Sequence, residues 1–252
     1  MPEITPILEV SALCRRFPDQ DPPALTDVSF TVDRGAFLVI SGANGSGKSV
    51  LMNLIAGLDK PSSGTVSIAE ENGKPLRVGL VFQDADAQIL GDTPIEDVCF
   101  GPHNLGFDKK TCAEIAKRAI DQVGLAGREN VPSRSLSGGE KRRLAVAGVL
   151  AMNAEIIIFD EPFANLDWTG VIQVVSILEK LKADGKTIIV LTHELEKVLA
   201  LADKLMILCQ GKLVFLGLPE DALTSAPLAD WGIRNPLRNY QSPKDLVWND
   251  IP

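Results

Sequence analysis

The feature that most restricts how this chain can fold is a glycine-rich segment with the pattern G-x-x-x-x-G-K-S. The segment consists of Gly42, Ala43, Asn44, Gly45, Ser46, Gly47, Lys48 and Ser49. An apolar run at 36–40 precedes it and predicts a strand, and residues 50–57 that follow carry apolar side chains at helical spacing. A glycine loop between a strand and a helix predicts a cradle in which backbone N–H groups and the helix dipole face a phosphate chain.

The polar side chains of this loop have defined roles in such a cradle. Lys48 reaches the β and γ phosphates, and the Ser49 hydroxyl coordinates Mg²⁺. The alternative is a turn rich in glycine and serine that matches the pattern by chance, but the predicted strand and helix on either side disfavour it. We therefore expect the chain to bind a nucleoside triphosphate.

The overall composition limits the classes of partner. The chain has 252 residues, 45% of them hydrophobic, and a formal net charge of −8. Such an acidic chain lacks the basic footprint of a protein that binds nucleic acid or grips anionic lipid. Four cysteines lie far apart, which favours reduced thiols over a zinc or disulfide site. The longest apolar runs, at 144–152 and 156–159, are too short to span a membrane, so we expect a soluble intracellular protein without a signal peptide.

Hydrophobic periodicity predicts an α/β sheet protein with a mostly helical insertion. Before the insertion, the predicted strands are 7–14, 28–32, 64–68 and 78–82, with a polar turn at 70–75. The insertion begins near residue 84 with a segment rich in Asp, Gln, Pro and Gly, and the helices predicted within it are 109–123 and 137–152. Strands and helices then alternate as strand 155–159, helix 171–181, strand 187–191, a helix from Glu194, and strands 204–209 and 213–215.

A second chemical feature lies where an apolar strand ends in two carboxylates. Residues 156–159 are Ile, Ile, Ile and Phe, and Asp160 and Glu161 follow them. Such a strand is typical of the centre of a parallel sheet, whose carboxyl edge meets the ligand. Asp160 is suited to hold Mg²⁺, and Glu161 is suited to act as general base for an attacking water. The alternative is a strand that simply ends in solvated acids.

The start of the helix at 137–152 permits two interpretations. Ser137 and Glu140 form the pattern of a capping box. Two consecutive glycines, Gly138 and Gly139, weaken a first helical turn but suit the close approach of a phosphate to the helix N-terminus. The local pattern does not separate a helix cap from a phosphate site.

Taken together, these motifs resemble those of the ABC (ATP-binding cassette) ATPases over about residues 7–225. The sequence Leu-Ser-Gly-Gly-Glu at 136–140 is similar to the signature motif of that family, and it lies between the glycine loop and the strand that ends in two acids. The other motifs follow in order: Phe17 at the position of an aromatic that stacks on adenine, Gln83 in the Q-loop, residues 164–167 as the D-loop and His193 as the switch histidine.

The resemblance implies a fold and a domain layout. The fold is a P-loop NTPase (RecA-like) ABC ATPase core with an antiparallel β subdomain and a helical insertion at about 90–150. A single ABC ATPase domain would cover 5–230, with a C-terminal extension at 231–252. In that extension, we expect an extended segment that packs its aromatic side chains, which include Trp231, Tyr240 and Trp248, on the domain.

The resemblance also implies site residues for ATP and Mg²⁺. The implied catalytic residues are Lys48, Gln83, Glu161 and His193, and the implied Mg²⁺ ligands are Ser49, Gln83 and Asp160. The implied ATP contacts are Phe17, the eight loop residues 42–49, Val50, Gln83, Ser137, Gly138, Gly139, Asp160 and His193. Members of the family act as head-to-tail dimers, so we expect a homodimer, or a heterodimer with a second ABC ATPase. In such a dimer the signature motif of one subunit meets the γ-phosphate held by the other.

Two segments narrow the resemblance within the family. Residues 84–89 and 96–106 are similar to those of the energy-coupling-factor type, which serves vitamin and cobalt or nickel importers. This implies integral membrane transporter subunits as partners, a location on the cytoplasmic face of the inner membrane, and no nucleic acid. Val50, His103, Glu140 and Trp168 depart from the common family residues and leave the substrate open. The alternatives are a soluble ABC ATPase not coupled to transport and a nucleotide-gated adaptor.

The junction between the sheet domain and the insertion is the expected docking surface for a membrane partner. It is rich in acids, at Asp84, Asp86, Glu96 and Asp97. These predict that the docking helix of the partner carries Arg or Lys. The alternative is a solvated acidic loop without a partner.

Overall fold

The structure is a computed structural model that describes residues 6–18 and 21–237. Its strands are Pro6–Arg15 (β1), Leu25–Asp33 (β2), Phe37–Ser41 (β3), Ser63–Ile68 (β4), Glu70–Glu71 (β5), Lys74–Pro75 (β6), Val78–Val81 (β7), Ile156–Asp160 (β8), Thr187–Leu191 (β9), Lys204–Cys209 (β10) and Lys212–Gly217 (β11). Its α-helices are Lys48–Ile55 (α1), Ala85–Gln88 (α2), Pro94–Asn104 (α3), Lys109–Gln122 (α4), Gly138–Ala151 (α5), Trp168–Ala183 (α6) and Pro219–Ser225 (α7).

A central sheet of six strands organises the molecule, in the order β11-β10-β3-β9-β8-β7. All neighbouring pairs are parallel except β10 and β11. β3 and β9 are buried along their whole length, as continuous apolar runs in a covered parallel sheet should be. Because parallel strands end at one edge, the segments after β3, β8 and β9 meet there. This edge places the glycine loop beside the two acids and the histidine.

Two apolar cores cover the two faces of this sheet. Side chains alternate along β3, so that Phe37 and Val39 belong to one core and Leu38 and Ile40 to the other. The first core contains α5 and α6, and the second contains α1 and a three-stranded antiparallel sheet in the order β2-β1-β4. The predicted fold class is confirmed, with a parallel core sheet and an antiparallel β subdomain.

The helical insertion is built from α3, α4 and α5. Its longest apolar element is α5, whose residues 144–147 are buried consecutively, so the helix is enclosed on nearly all sides. Buried residues of α4, Ala116 and Ile120 among them, belong to the same core. The insertion therefore shares the core of the sheet domain and does not stand apart from it.

Three local predictions differ from the structure. The predicted helix from Glu194 is wrong: residues 195–201 form two 3₁₀ turns, Leu195–Lys197 and Leu199–Leu201. Leu195 and Val198 are both buried at a spacing of three, which suits a 3₁₀ turn. Pro94–Asn104 is a helix that the periodicity did not reveal, although Thr93 and Glu96 form a complete capping box with proline at the first turn. The polar turn at 70–75 is a short hairpin of β5 and β6.

The described part of the C-terminal extension packs on the domain. Ile233 is buried, Trp231 is half-buried against the first core, and the Asn235 side chain donates to the Leu223 carbonyl at 2.8 Å. Tyr240 and Trp248 lie outside the described residues. Within the described ranges, the helices are all too short or too polar to cross a membrane.

Two glycines near the junction of α5 with the sheet should respond oppositely to the same substitution. A Cβ on Gly79 of β7 would lie 2.2 Å from Val149 Cγ1 and 3.0 Å from Ala154 Cβ. We expect Gly79→Ala to lower the free energy of unfolding by about 1–3 kcal/mol. Gly148→Ala, in the last turn of α5, should instead raise the free energy of unfolding by up to about 1 kcal/mol, because no described atom lies within 4 Å of the added Cβ. Denaturant titration measures both, and equal losses would contradict the packing described.

Candidate functional site

The glycine loop between β3 and α1 requires glycine at two positions where other chain segments come close. Gly42 has φ of 158°, and a Cβ there would lie 2.3 Å from the Leu208 carbonyl oxygen. Gly47 has φ of 102°, and its Cβ would lie 2.7 Å from the Ala24 carbonyl oxygen. Both positions therefore exclude side chains on steric and conformational grounds. The loop is fixed against β10 and the segment before β2.

Lys48, the first residue of α1, brings a buried cation to this loop. Lys48 is 8% exposed, and its Nζ donates to the carbonyl oxygen of Gly42 at 2.7 Å. Burial lowers the pKa of the Lys48 ammonium, and the charges of Glu161 and Asp160 act in the opposite direction. A cation at a helix N-terminus, where the dipole is also positive, favours an anion as its ligand.

Asp160 is the last residue of β8, and Glu161 follows it at the carboxyl edge of the sheet. Burial raises the pKa of the Asp160 carboxyl, the Glu161 charge raises it further, and Lys48 lowers it. Glu161 adopts a left-handed φ of 45°, while its N–H donates to the Leu191 carbonyl at 2.8 Å. The Glu161 carboxylate meets His193, as described below. Non-glycine residues with a left-handed φ, such as Glu161, concentrate at functional sites.

His193 lies beyond β9, next to Glu161. Its Nδ1 is 3.1 Å from Glu161 Oε2, and its backbone N–H donates to the same oxygen at 3.4 Å. The imidazole side chain is 62% exposed, whereas the Glu161 side chain is 12% exposed. The histidine therefore presents one edge to the buried carboxylate and the rest of its ring to the surface.

A pocket of about 280 Å³ collects most of the predicted residues. Its lining comprises Ala24, Asn44, Gly45, Ser46, Gly47, Lys48, Ser49, Val50, Gln83, Asp160 and Glu161. Ala24 is the one lining residue that the sequence did not suggest, because it follows no motif. Gly42, Ala43 and His193 line an adjoining pocket of about 540 Å³ together with the segment 232–236.

The other predicted residues lie away from this pocket. Phe17 is half-buried and stacks under the Arg15 guanidinium, 4.5 Å from its ring centroid. Ser137, Gly138 and Gly139 also lie outside the pocket lining.

The oxygen donors in the pocket fit a magnesium ion. Ser49 offers a hydroxyl, Gln83 an amide oxygen and Asp160 a carboxylate, which are the hard ligands that Mg²⁺ prefers. The raised pKa of Asp160 indicates that protein cations compensate its charge incompletely, so an added divalent cation would stabilise the ionised form. Ser46, in the same loop, has a buried hydroxyl that finds no hydrogen-bond partner among the described residues.

Comparison with known proteins identifies the family. The family model described as ABC transporter matches residues 25–164, which is more than half of the chain. The chain belongs to the ABC transporter family. It is an ABC ATPase, an ATP-binding and ATP-hydrolysing protein, and the recognition drawn from its motifs is confirmed.

Named relatives place this ABC ATPase more narrowly. An energy-coupling factor transporter ATP-binding protein, EcfA2 of Methanospirillum hungatei, is 37% identical over 88% of the chain, which spans 58% of that relative's length. The cobalt import ATP-binding protein CbiO of Rhodobacter capsulatus is 39% identical over 93% of the chain and 87% of the relative. The solved structure of CbiO1 from Clostridium perfringens, part of the transporter complex CbiONQ, is 30% identical with a TM-score of 0.78, covering 89% of this chain and 93% of that one.

The signature motif of this ABC ATPase forms a complete helix cap. The Ser137 hydroxyl accepts from the Glu140 N–H at 3.3 Å, and the Ser137 N–H donates to Glu140 Oε2 at 2.8 Å. That second bond is the largest cause of the lowered pKa of Glu140. A Cβ on Gly138 would meet open space among the described residues, and one on Gly139 would meet only Gln173 Oε1, at 3.7 Å. The packing of the described chain therefore does not require these glycines, which favours the approach of an external group.

An arginine that sequence reasoning missed connects α5 to the segments around the pocket of about 280 Å³. Arg142 of α5 is 7% exposed and donates to the carbonyl oxygens of Gln83, Pro162 and Ala164. Its spacing of three and four residues from Ala145 and Val146, both buried, could have indicated that it points inward. Burial lowers the pKa of its guanidinium.

Substitution of Asp160 should change how the stability of the folded protein depends on pH. The folded-state pKa of Asp160 is raised, so the ionised carboxylate destabilises the folded protein above that pKa but not below the unfolded value of about 3.9. We expect Asp160→Asn to stabilise the nucleotide-free protein at pH 7, because Glu161 remains to balance Lys48. This gain should shrink as the pH falls toward 4.

Thermal unfolding between pH 7.5 and 4.5 measures the effect, with the exposed Asp121→Asn on α4 as the control. A gain that is independent of pH, or that also occurs in the Asp121 variant, would contradict the desolvated carboxylate.

Proposed function

We propose that this ABC ATPase is the ATP-hydrolysing subunit of an importer of the energy-coupling-factor type that moves a vitamin or a cobalt or nickel ion. One observation carries the proposal: a single pocket contains Lys48, Ser49, Gln83, Asp160 and Glu161, which the motifs predicted for phosphate binding, Mg²⁺ coordination and hydrolysis. The named relatives, an energy-coupling factor transporter protein and a cobalt import protein, support the transport class.

In this proposal Lys48 neutralises the β and γ phosphates, with Ser49, Gln83 and Asp160 around Mg²⁺. The bound ion neutralises phosphate charge during the reaction. Glu161 accepts a proton from water as the water oxygen attacks the γ-phosphorus in line and the bond to the ADP oxygen breaks. Glu161 Oε2 is paired with His193 in this structure. Reorienting His193 toward the γ-phosphate would free that oxygen for water, so the pair acts as a switch.

The signature motif completes the site of a second subunit. Ser137 and the first turn of α5 lie at a helix N-terminus, a position that binds a phosphate readily. Open space around the Cβ positions of Gly138 and Gly139 supports that role. Phe17 would stack on the adenine. We propose a head-to-tail dimer with another ABC ATPase, either a second copy or a related chain.

The membrane partner would dock in a groove of about 610 Å³ between α2, the start of α3 and α5. Its lining includes Asp86, Leu90 and Lys141, and Leu90 is 74% exposed. The acids expected to attract a basic docking helix are mostly used inside the chain, because Asp84 caps α2 and Glu96 caps α3. Asp97 is half-buried, and its Oδ1 accepts hydrogen bonds from the Leu90 N–H at 2.7 Å and the Gly91 N–H at 3.0 Å.

Asp86 is therefore the acid best placed to meet a partner. Its side chain is 69% exposed and is paired with Lys141 on α5. A basic group of the docking helix would compete with Lys141 for Asp86. A docking event would thus alter a contact between α2 and the signature helix.

The proposal is tested by Glu161→Gln in the presence of Mg²⁺ and ATP. The amide keeps the shape of the carboxylate but accepts no proton, so hydrolysis should fall by at least about a hundredfold. ATP should stay bound, and a dimer should accumulate in size-exclusion chromatography with light scattering. Glu179→Gln, an exposed position on α6, is the control. A monomeric Glu161→Gln protein that still binds ATP would contradict the head-to-tail dimer, and normal hydrolysis would contradict the base.

A negative charge at Gly139 should separate folding from dimer closure. An acid in the first turn of a helix is favourable for the helix, so Gly139→Asp should leave the melting temperature of the nucleotide-free protein unchanged or higher. The same charge should repel the γ-phosphate of the other subunit and lower ATPase activity by roughly a hundredfold. Lys109→Asp places an acid in the first turn of α4 as a control and should keep its activity. Full activity in Gly139→Asp would assign the motif a capping role alone.

A further inference from the structure

The feature that carries a further inference is a buried cation in the helical insertion, Arg142, which lies one turn after the signature motif. One guanidinium nitrogen, Nη1, donates to the Pro162 carbonyl at 2.7 Å and the Ala164 carbonyl at 3.1 Å. The other, Nη2, donates to the Gln83 carbonyl at 2.7 Å. A planar group with several donors in fixed directions is suited to hold three carbonyls at once, which a lysine ammonium does less well.

These three carbonyls belong to the two segments that carry the chemistry of the ATP pocket. Gln83 lies in the segment that follows β7, and Pro162 and Ala164 come directly after Glu161. The helix that supplies Arg142 begins at Gly138 and carries Ser137 as its cap. One side chain therefore ties the residues of the chain's own ATP pocket to the motif that would meet the other subunit's ATP.

The surroundings of Arg142 indicate that its position, more than its charge, is used. Throughout residues 6–18 and 21–237, the structure records carbonyl oxygens and no carboxylate in hydrogen bonds or ion pairs with it, and its Nε is buried without a partner. The charge of Asp84 favours the guanidinium cation, but burial is the larger effect and lowers its pKa, so the charge of Arg142 is only partly compensated. Such groups are retained where they fix the relative placement of segments.

We propose that Arg142 is a positioning residue that couples the two ATP sites of the dimer. The inference rests on the head-to-tail dimer of the proposed function. When the signature motif closes on the partner's γ-phosphate, α5 moves, and its arginine carries Gln83 and the segment after Glu161 into their hydrolytic positions. Binding at one site thereby sets the geometry of the other, and the coupling is reciprocal.

A neighbouring contact supplies a matched control. Lys141 precedes Arg142 on α5 and also holds the segment after β7, through its ion pair with Asp86. The Asp86 side chain is 69% exposed, so water screens this pair and it should contribute little to positioning. Arg142→Met and Lys141→Met each remove one cation from the same helix with a side chain of similar length, but only the first removes the bonds to the pocket segments.

The experiment compares wild-type protein, Arg142→Met, Arg142→Lys and Lys141→Met as full chains. Three quantities are measured: ATP affinity without Mg²⁺, kcat of hydrolysis, and the Hill coefficient of hydrolysis against ATP concentration. For Arg142→Met we expect affinity within about twofold of wild type, a kcat reduced about tenfold and a Hill coefficient near 1. Arg142→Lys should lie between Arg142→Met and wild type, and Lys141→Met should lose much less cooperativity than Arg142→Met.

Several results would overturn the assignment. A wild-type Hill coefficient in Arg142→Met, or an equal loss in Lys141→Met, would show that the arginine bonds do not couple the sites. A fall in ATP affinity as large as the fall in kcat would show a structural role alone. If Arg142→Met does not fold, Arg142→Lys decides the question, because lysine keeps the positive charge but cannot hold the three carbonyls with a planar group. Wild-type cooperativity in Arg142→Lys would then overturn the proposal.

The proposed function fails separately from this inference. Failure of Glu161→Gln to dimerise with ATP contradicts the dimer without any change at Arg142, and it removes the basis of the coupling as well. An ATP-dependent dimer together with a Hill coefficient of 1 in wild-type protein contradicts the coupling alone.

Discussion

The balance of charge at the carboxyl edge of the parallel sheet is the constraint on which the rest of the structure depends. Lys48, Asp160 and Glu161 share a small volume that water reaches only partly. Burial disfavours the charged form of both Lys48 and Asp160, so the site is electrostatically incomplete without further charge. A triphosphate with a divalent cation supplies both signs at once. The fold brings these residues to the same edge of the sheet: Lys48 begins α1 after β3, and Asp160 and Glu161 lie at the end of β8, with β9 between the two strands.

The helical insertion extends this site beyond the sheet. It carries the signature motif on one end of α5 and, one turn later, the arginine that holds the segments around the pocket. The same helix bears Lys141 in the groove where we place the membrane partner. A single rigid helix thus contacts the elements proposed for hydrolysis, dimer closure and docking. A movement of α5 is the simplest way for one of these events to affect the others.

The parts of the molecule that could be predicted from sequence are those whose chemistry is local. The glycine loop, the strand that ends in Asp160 and the cap at Ser137 each combine a short motif with the periodicity of its neighbours. The parts that were missed depend on tertiary contacts. In the sequence, Arg142 is one of three consecutive positively charged residues, and only the fold shows that its side chain binds three carbonyls. Asp97 reads as a surface acid but accepts backbone N–H groups within its own loop.

Two helical segments show the same difference between local and tertiary signals. The turns at 195–201 have helical composition, but burial of Leu195 and Val198 three residues apart selects tighter geometry. The helix Pro94–Asn104 is marked by its cap more than by apolar periodicity, because only Pro94, Val98 and Pro102 are buried along it. The fold gathers most of the site residues drawn from family motifs into one pocket, whereas Phe17 and the signature glycines lie outside its lining.

The most direct test of the charge-balance account is the effect of Mg²⁺ on ATP binding, measured by calorimetry for wild-type protein and for Ser49→Ala. Ser49 is exposed and lines the same pocket as Asp160, so Ser49→Ala would remove a proposed oxygen ligand and keep the glycines of the loop. The account predicts that Mg²⁺ strengthens ATP binding to wild-type protein and that Ser49→Ala loses most of this increment while keeping its affinity for ATP alone. An equal Mg²⁺ increment in the two proteins would contradict it.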